Sequence, residues 1–220
     1  PVDGIAAARQ AAEAYGDLRF VAGIEISAIP PRGTLHIVGL GVDEHAASLI
    51  NLMETLQEGR RQRNPKIVAK CQELGLDITM DHVRAVAREA GGTDDIISRV
   101  HIAEALQRRG HVKDRQQAFD NYLATGKPAY VDRTRFSAAD SIEMIHQAGG
   151  LAILAHPPQL RYDNNAQLEQ ILSDLVARGL DGIEAYCTDA TDEQTRHYMD
   201  LAKRFKLVVL GGSDFHGQPK

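Results

Sequence analysis

The stretch that decides the fold is "LAILAHPPQLRYDNNAQLEQILSDLVARGLDGIEAYC", residues 151–187. It contains an apolar run typical of a buried strand, then the amphipathic segment "NAQLEQILSDLVARG", then a second apolar run. Two strands joined by a helix of this length run parallel in most proteins. The stretch therefore predicts a parallel α/β sheet or barrel.

The same alternation continues on both sides of this stretch. Upstream, "SAADSIEMIHQAGG" predicts a helix with Ser137 as its N-cap and two glycines at its end. Downstream, "DEQTRHYMDLAKRFK" predicts a helix and "LVVLGGSDFHG" a last strand. Near the beginning, "RFVAGIEISAI" and "TLHIVGLGV" predict two strands, and the turn residues "PPRG" between them indicate a hairpin.

The middle of the chain has a different pattern. From about Ala46 to Asp120 the segments are helical and amphipathic, as in "TMDHVRAVAREAGG" and "SRVHIAEALQRRG". We interpret this region as an insertion. The predicted organisation is a first part of the main α/β domain at residues 1–48, an inserted helical cap at 49–125, and a second part of the main domain at 126–220.

Composition excludes several classes of function. Hydrophobic residues make up 43% and charged residues 25% of the 220 residues, which is typical of a globular protein. The net charge of −5 gives no overall basic field for nucleic acid. No apolar run approaches the roughly 18 residues of a membrane span. Cys71 and Cys187 form no C-x-x-C pair, and they predict reduced thiols in a cytoplasmic protein without a membrane partner.

Candidate metal ligands lie on, or directly after, four predicted strands. In parallel α/β folds functional side chains gather at the carboxyl ends of strands. Each residue alone has a structural explanation, since a histidine at a strand end is usually hydrogen-bonded and a glutamate in a hairpin usually faces water. Together they favour a mixed site of imidazoles and carboxylates, which suits Zn, Mn or Fe. The candidates are Glu25, His36, His156, Asp214 and His216.

Asp214 and His216 are two residues apart in "VVLGGSDFHG". On an extended backbone, residues i and i+2 point to the same side of a strand. The pair could therefore supply two metal ligands or two acid/base groups. The alternative is a capped turn with a surface histidine, and this stretch alone does not choose between them.

Taken in order, seven short motifs resemble the PHP (polymerase and histidinol phosphatase) superfamily, and the resemblance covers essentially the whole chain. They are "GIEIS", "HIVGLGVD", "RVHIAEALQRRGHVKDRQQAFDNYL", "GKPAYV", "AILAHP", "GIEAY" and "GGSDFHG". The branch is similar to metal-dependent phosphoesterases that act on nucleoside 3′,5′-bisphosphates and RNA 5′ ends. The resemblance implies a distorted (β/α)7 barrel with up to three divalent ions.

The resemblance also implies a role for each ligand. Glu25 would bridge two metals, His36 and His156 would bind the second of them, Asp214 the first and His216 the third. Glu25, His156 and His216 would also be catalytic.

The sequence departs from the family where it begins. Members open with Asp-x-His-x-His and continue to Thr-Asp-His-Asp, and "PVDGIAAAR" corresponds to a position after those motifs. Members also continue beyond the point that Lys220 occupies. We therefore expect a barrel that is incomplete at both ends, weak metal binding and little activity from these 220 residues alone.

Arginines are the candidate substrate ligands because a guanidinium can bind two phosphate oxygens. Residues 58–70, "EGRRQRNPKIVAK", hold five basic residues and one acidic residue; they form either a solvated helix face or part of a phosphate site. Arg99 and His101 stand at a helix start, and the resemblance implies that they face the metals and touch substrate phosphate. Arg161 follows His156, but its loop is two residues longer than in the family pattern.

The ligand types predict hydrolysis of a phosphate ester by a metal-activated water. The sequence contains no G-x-S-x-G motif, so it does not predict a covalent enzyme intermediate. It also contains no P-loop. The predicted substrate is a small phosphorylated nucleotide or an RNA 5′ end. Two alternatives remain, an exonuclease or accessory module of a DNA polymerase and a metal-free PHP scaffold.

Overall fold

The protein divides into two compact units. The computed structural model describes residues 4–91 and 97–215. One unit comprises Pro1–Leu52 and Arg135–Lys220, and the other comprises Met53–Thr134.

The first unit contains a five-stranded mixed sheet. Its strands are β1 (Gly23–Ala28), β2 (Leu35–Leu40), β3 (Leu151–Leu154), β4 (Gly182–Cys187) and β5 (Val208–Gly212), in the spatial order β1-β2-β3-β4-β5. The predicted hairpin is confirmed, since β1 and β2 pair antiparallel. Strands β3, β4 and β5 are parallel, but β2 and β3 are antiparallel. The expectation of a parallel sheet is therefore right for β3, β4 and β5, whereas the antiparallel pairing of β2 with β3 departs from it.

Helices connect and cover the strands. They are α1 (Ile5–Glu13), α2 (Ala47–Glu73), α3 (Met80–Glu89), α4 (Arg99–Arg108), α5 (Arg115–Ala118), α6 (Ala138–Gln147), α7 (Asn165–Val176) and α8 (Asp192–Phe205). In the first unit, α6 packs against β1, β2 and β3, and α8 packs against β4 and β5. Gly39 permits this close approach, because a Cβ there would lie 2.9 Å from Ile145 of α6.

The second unit is helical and has its own core. The later turns of α2 pack with α3, α4 and α5, and α5 continues into a short π-helical turn, Phe119–Leu123. Ile67, Ile102 and Leu106 are fully buried in this core. The amphipathic pattern of these segments therefore buries one face of each helix within the unit.

Two findings bear on the environment of the chain. Within residues 4–91 and 97–215, no helix is both long and apolar enough to span a lipid bilayer. Cys71 and Cys187 are both free thiols.

Candidate metal centre

The hairpin places Glu25 and His36 on one face of the sheet. Glu25 lies opposite Val38, and His36 lies opposite Ser27. The two functional residues are therefore diagonal neighbours across the strand pair. Residues that alternate with them, such as Ile37 with 0% exposure, fill the core on the other face.

His156 lies just beyond the carboxyl end of β3 in an unusual backbone conformation. Its φ is 26° and its ψ is 69°. Its backbone N–H donates to Glu184 Oε2 at 2.8 Å, and Glu184 belongs to the neighbouring parallel strand β4. The Glu184 carboxylate on β4 thus holds the backbone of His156, the residue just beyond β3.

Sequence reasoning missed Glu184. Its signal was a carboxylate between Ile183 and Ala185, two residues that are fully buried in an otherwise apolar strand. A charged side chain in that position needs a partner, and here the partner is the backbone of His156.

Ligand atoms from β1, from β2 and from the segment that follows β3 meet at this point. His36 Nδ1 lies 2.6 Å from Glu25 Oε1, and His156 Nε2 lies 3.1 Å from the same oxygen. The two imidazole nitrogens are 3.0 Å apart, and the rings cross at 78°. The side chain of His156 is only 5% exposed, whereas that of Glu25 is 33% exposed.

The charges within this cluster favour an ionised carboxylate. Hydrogen bonds from His156 and then His36 hold the pKa of Glu25 well below its usual range, against the opposing effect of burial. Burial disfavours the imidazolium of His156, but the hydrogen bond and charge of Glu25, with a contribution from Asp214, raise its pKa overall. A negative oxygen thus faces two nitrogens that are able to hold a proton or a cation.

These residues fit a divalent cation. Glu25 Oε1 faces both His36 Nδ1 and His156 Nε2, and these two nitrogens also face each other. Protons shared among the three atoms therefore cannot give each atom a hydrogen-bond partner of its own. In addition, His156 Nδ1 is buried without a hydrogen-bond partner among the described residues. A carboxylate and two imidazoles within 4.8 Å of one another form a ligand set typical of Zn, Mn or Fe.

The structure brings only part of the predicted ligand set together. Asp214 is not among the described side chains whose ligand atoms cluster within 4.8 Å, although its charge acts on His156. His216 lies outside the described residues. Strand β5 ends at Gly212 and Asp214 has a φ of 51°, so the expectation of an extended strand through Asp214 is wrong. The pairing of β5 with β4 stops at Gly212, and the described residues that follow, 213–215, belong to no strand.

The predicted phosphate ligands Arg99 and His101 begin α4 in the helical unit. The Arg99 guanidinium carbon lies 5.8 Å from the ring centre of Phe119 and 5.5 Å from that of Tyr130. His101 Nδ1 accepts the backbone N–H of Ser98 at 3.2 Å, and burial lowers the pKa of His101. His101 therefore also serves to cap its own helix.

Arg161 lies in the loop after His156. It follows a short 3₁₀ helix, Pro157–Leu160, and has a φ of 54°. Its side chain is exposed. Its role toward substrate stays a prediction.

The chain is similar to several characterised proteins. It is 35% identical to a 3′,5′-nucleoside bisphosphate phosphatase of Chromobacterium violaceum, over 97% of this chain and 73% of that protein. It is 34% identical to a 5′-3′ exoribonuclease of Haemophilus influenzae, over 98% of this chain and 76% of that protein. A solved structure from Bifidobacterium adolescentis, provisionally assigned as a metal-dependent phosphoesterase, superposes with a TM-score of 0.80 at 29% identity, over 100% of this chain and 76% of that one. No family model matches the chain.

A mixed α/β sheet that gathers a carboxylate and two imidazoles at one place defines a candidate metal-dependent hydrolase. The relatives make this assignment specific and confirm the resemblance seen in the motifs. The chain belongs to the metal-dependent phosphoesterases of the PHP superfamily, which are hydrolases.

Proposed function

We propose that this chain hydrolyses a phosphate ester of a nucleotide or a short RNA by means of a metal-activated water. The observation that carries the proposal is the convergence of Glu25, His36 and His156, with ligand atoms 2.6–3.1 Å apart. The named activities of the relatives, a bisphosphate phosphatase and an exoribonuclease, support the class of substrate.

Each residue of the cluster has a role in this proposal. Glu25, His36 and His156 would hold a divalent ion, and Asp214 and His216 would hold further ions up to a total of three. When bound, such ions lower the pKa of a coordinated water and neutralise charge on the phosphate. Glu184 keeps His156 in place through its backbone N–H. The proposal includes the distorted (β/α)7 barrel, with the helical region near residues 49–125 as a cap.

Arg99, His101 and Arg161 are the proposed substrate ligands. The Arg99 guanidinium lies near the rings of Phe119 and Tyr130 and donates to the carbonyl of Leu123 at 2.9 Å, so it is held in place and its remaining donors suit phosphate oxygens. Loss of one charge-assisted contact typically costs about 1.5–3 kcal/mol. In the active enzyme, Arg99→Ala should therefore lower kcat/KM by roughly ten- to a hundredfold.

The test combines metal binding with hydrolysis. Mn²⁺ affinity would be measured by calorimetry for the wild-type chain, Glu25→Gln and His156→Ala. We expect each substitution to weaken Mn²⁺ binding by at least about tenfold, because removal of even an indirect partner of a metal ligand commonly has that effect. Release of phosphate from adenosine 3′,5′-bisphosphate, or of mononucleotides from a 5′-phosphorylated oligoribonucleotide, would identify the substrate.

His45→Ala is the matched control, because His45 is exposed and lies in the same unit. It should leave both Mn²⁺ binding and hydrolysis unchanged. Equal Mn²⁺ affinity in wild type and His156→Ala would contradict the metal site. Little activity is expected from these 220 residues alone, so the scaffold alternative would be favoured only if a longer chain with the Asp-x-His-x-His and Thr-Asp-His-Asp motifs also binds no metal and hydrolyses neither substrate.

A further inference from the structure

His156 has a backbone conformation that its sequence disfavours. Its φ of 26° and ψ of 69° lie where residues with a side chain are rare, and such conformations persist only when surrounding contacts enforce them. In addition, His156 precedes Pro157, and a residue before proline is restricted to extended backbone with ψ of about 120–160°. This candidate ligand is therefore held against both preferences by contacts with other parts of its unit.

Two backbone hydrogen bonds hold the chain at this point. The Ala155 N–H donates to the carbonyl of His36 at 3.1 Å, which continues the contact of β3 with β2. The next N–H, that of His156, donates to Glu184 Oε2 at 2.8 Å. The following residue offers no N–H, because it is Pro157. Glu184 is thus the partner that fixes His156 itself.

The other side of the Glu184 carboxylate lies against the backbone of Gly212. A Cβ on Gly212 would collide with Oε1 of Glu184 and lie 2.8 Å from its carboxyl carbon, so glycine leaves room that a side chain would fill. The end of β5 is itself held, since its pairing with β4 reaches Gly212 and the Thr188 hydroxyl donates to the carbonyl of Ser213 at 3.2 Å. The carboxylate is therefore confined between the His156 N–H and Gly212.

An irregularity in β4 lies directly beside this carboxylate. Glu184 pairs with Leu210 of β5, but Tyr186 pairs with Gly211, so the register shifts by one residue between Glu184 and Tyr186. Bulges of this kind are frequent next to active sites, where they re-aim a side chain. Here the shift immediately follows the residue whose carboxylate accepts the N–H of His156.

We propose that Glu184 and Gly212 act as a positioning pair, which sets the backbone of His156 and thereby the direction of its ring toward Glu25. Neither residue belongs to the ligand cluster itself. Glu184 acts through its hydrogen bond rather than through its charge, and Gly212 acts by leaving space for the carboxylate. The pair also joins two arms of the candidate site, because Asp214 follows Gly212 by two residues. Its consequence for metal binding rests on the proposed function, whereas its effect on His156 does not.

The first measurement uses the whole chain in EDTA, so that it does not depend on metal. NMR of the isotope-labelled protein gives the solvent-exchange rate of the His156 amide and the shifts of its ring nitrogens, which report on the contact with Glu25. In Glu184→Ala we expect the amide to exchange about tenfold faster, because one hydrogen bond is lost, and the ring shifts to change. Glu184→Gln keeps an acceptor oxygen and should restore both to near wild-type values.

Gly212→Ala tests the other half of the pair. Its methyl group should displace the carboxylate and speed exchange of the His156 amide by about tenfold, although the substitution removes no hydrogen-bonding group. In the double variant Glu184→Ala/Gly212→Ala the second change should add nothing, because the carboxylate that it displaces is already absent. Gly211→Ala is the matched control and should behave as wild type, since a Cβ there would meet Tyr186 at 3.3 Å instead of Glu184.

Mn²⁺ affinity, measured by calorimetry, links the pair to the metal cluster. Glu184→Ala and Gly212→Ala should each weaken Mn²⁺ binding by at least about tenfold, as the loss of a residue that orients a metal ligand commonly does. Glu184→Gln and Gly211→Ala should bind Mn²⁺ nearly as wild type. If Glu184→Gln weakens binding as much as Glu184→Ala, the charge of Glu184 matters rather than its hydrogen bond, and the proposal is overturned.

Unchanged exchange of the His156 amide in Glu184→Ala or in Gly212→Ala would also overturn the proposal, as would additive effects in the double variant. Circular dichroism establishes which variants fold, and if one of the two alanine variants does not, the other decides. A wild-type chain that binds no Mn²⁺ would contradict the proposed function instead. The metal-free exchange rates and ring shifts would then still decide the role of Glu184 and Gly212.

Discussion

At Gly33, the turn of the β1–β2 hairpin touches the loop that follows His156. Gly33 has a φ of 59°, and a Cβ there would lie 2.4 Å from the backbone oxygen of Gln159. The neighbouring Thr34 N–H donates to the same oxygen at 2.8 Å. Gly33 thus permits a backbone contact between the hairpin that carries Glu25 and the loop that follows His156.

Gly33→Ala should be more destabilising than the same change at Gly41. Both glycines have positive φ, which costs an alanine about 1–2 kcal/mol. Only Gly33 adds a collision, worth roughly a further 1–3 kcal/mol, because nothing lies within 4 Å of the Cβ position at Gly41. Urea unfolding of the two variants measures the difference. Equal losses would show that the loop after His156 moves aside without cost.

Some residues of the site could be predicted from sequence and others could not. Glu25, His36 and His156 were recognisable because each interrupts, or follows, an apolar strand. The conformation of Asp214 was not recognisable, since it depends on where pairing with β4 ends. The burial of Arg63 in α2, which leaves it only 9% exposed, was equally hidden, because a run of basic residues on an amphipathic helix has the same pattern whether or not another segment covers it.

Helix α6 shows how far local signals define an element. Ser137 caps it as predicted, with its Oγ accepting the N–H of Asp140 at 3.1 Å while Asp140 Oδ2 accepts the N–H of Ser137 at 3.3 Å. This helix packs against β1, β2 and β3. By contrast, the antiparallel pairing of β2 with β3 joins strands that are separated by the whole helical unit, and no local pattern specifies such a partner.

Ser137→Ala should destabilise the protein by about 1 kcal/mol, because the substitution leaves a helix N–H without its acceptor. Ser137→Gly is the matched comparison and should cost only a few tenths of a kcal/mol, since glycine is a tolerated N-cap. Chemical unfolding monitored by circular dichroism gives both values. A larger loss in the glycine variant would mean that the capping hydrogen bonds contribute little and that backbone freedom dominates at this position.

For the molecule as a whole, the two units have separate cores. Leu106 is fully buried in the core of the helical unit, and Leu172 of α7 is fully buried in the unit that contains the sheet. Each unit therefore derives its stability mainly from its own apolar contacts. The metal cluster belongs to the unit that contains the sheet, so damage to the core of that unit should affect the cluster first.

Leu106→Ala and Leu172→Ala test this division with the same chemical change. Each creates a cavity in a buried position and should cost about 2–5 kcal/mol within its own unit. In hydrogen exchange followed by mass spectrometry, Leu106→Ala should lose protection mainly in α3 and α4, and Leu172→Ala mainly in α7, α8 and the adjoining strands. Leu172→Ala should also weaken Mn²⁺ binding more than Leu106→Ala does, since the metal cluster lies in the same unit as Leu172. If both variants lose protection evenly along the chain, the protein unfolds as one cooperative structure and the metal cluster depends on both cores.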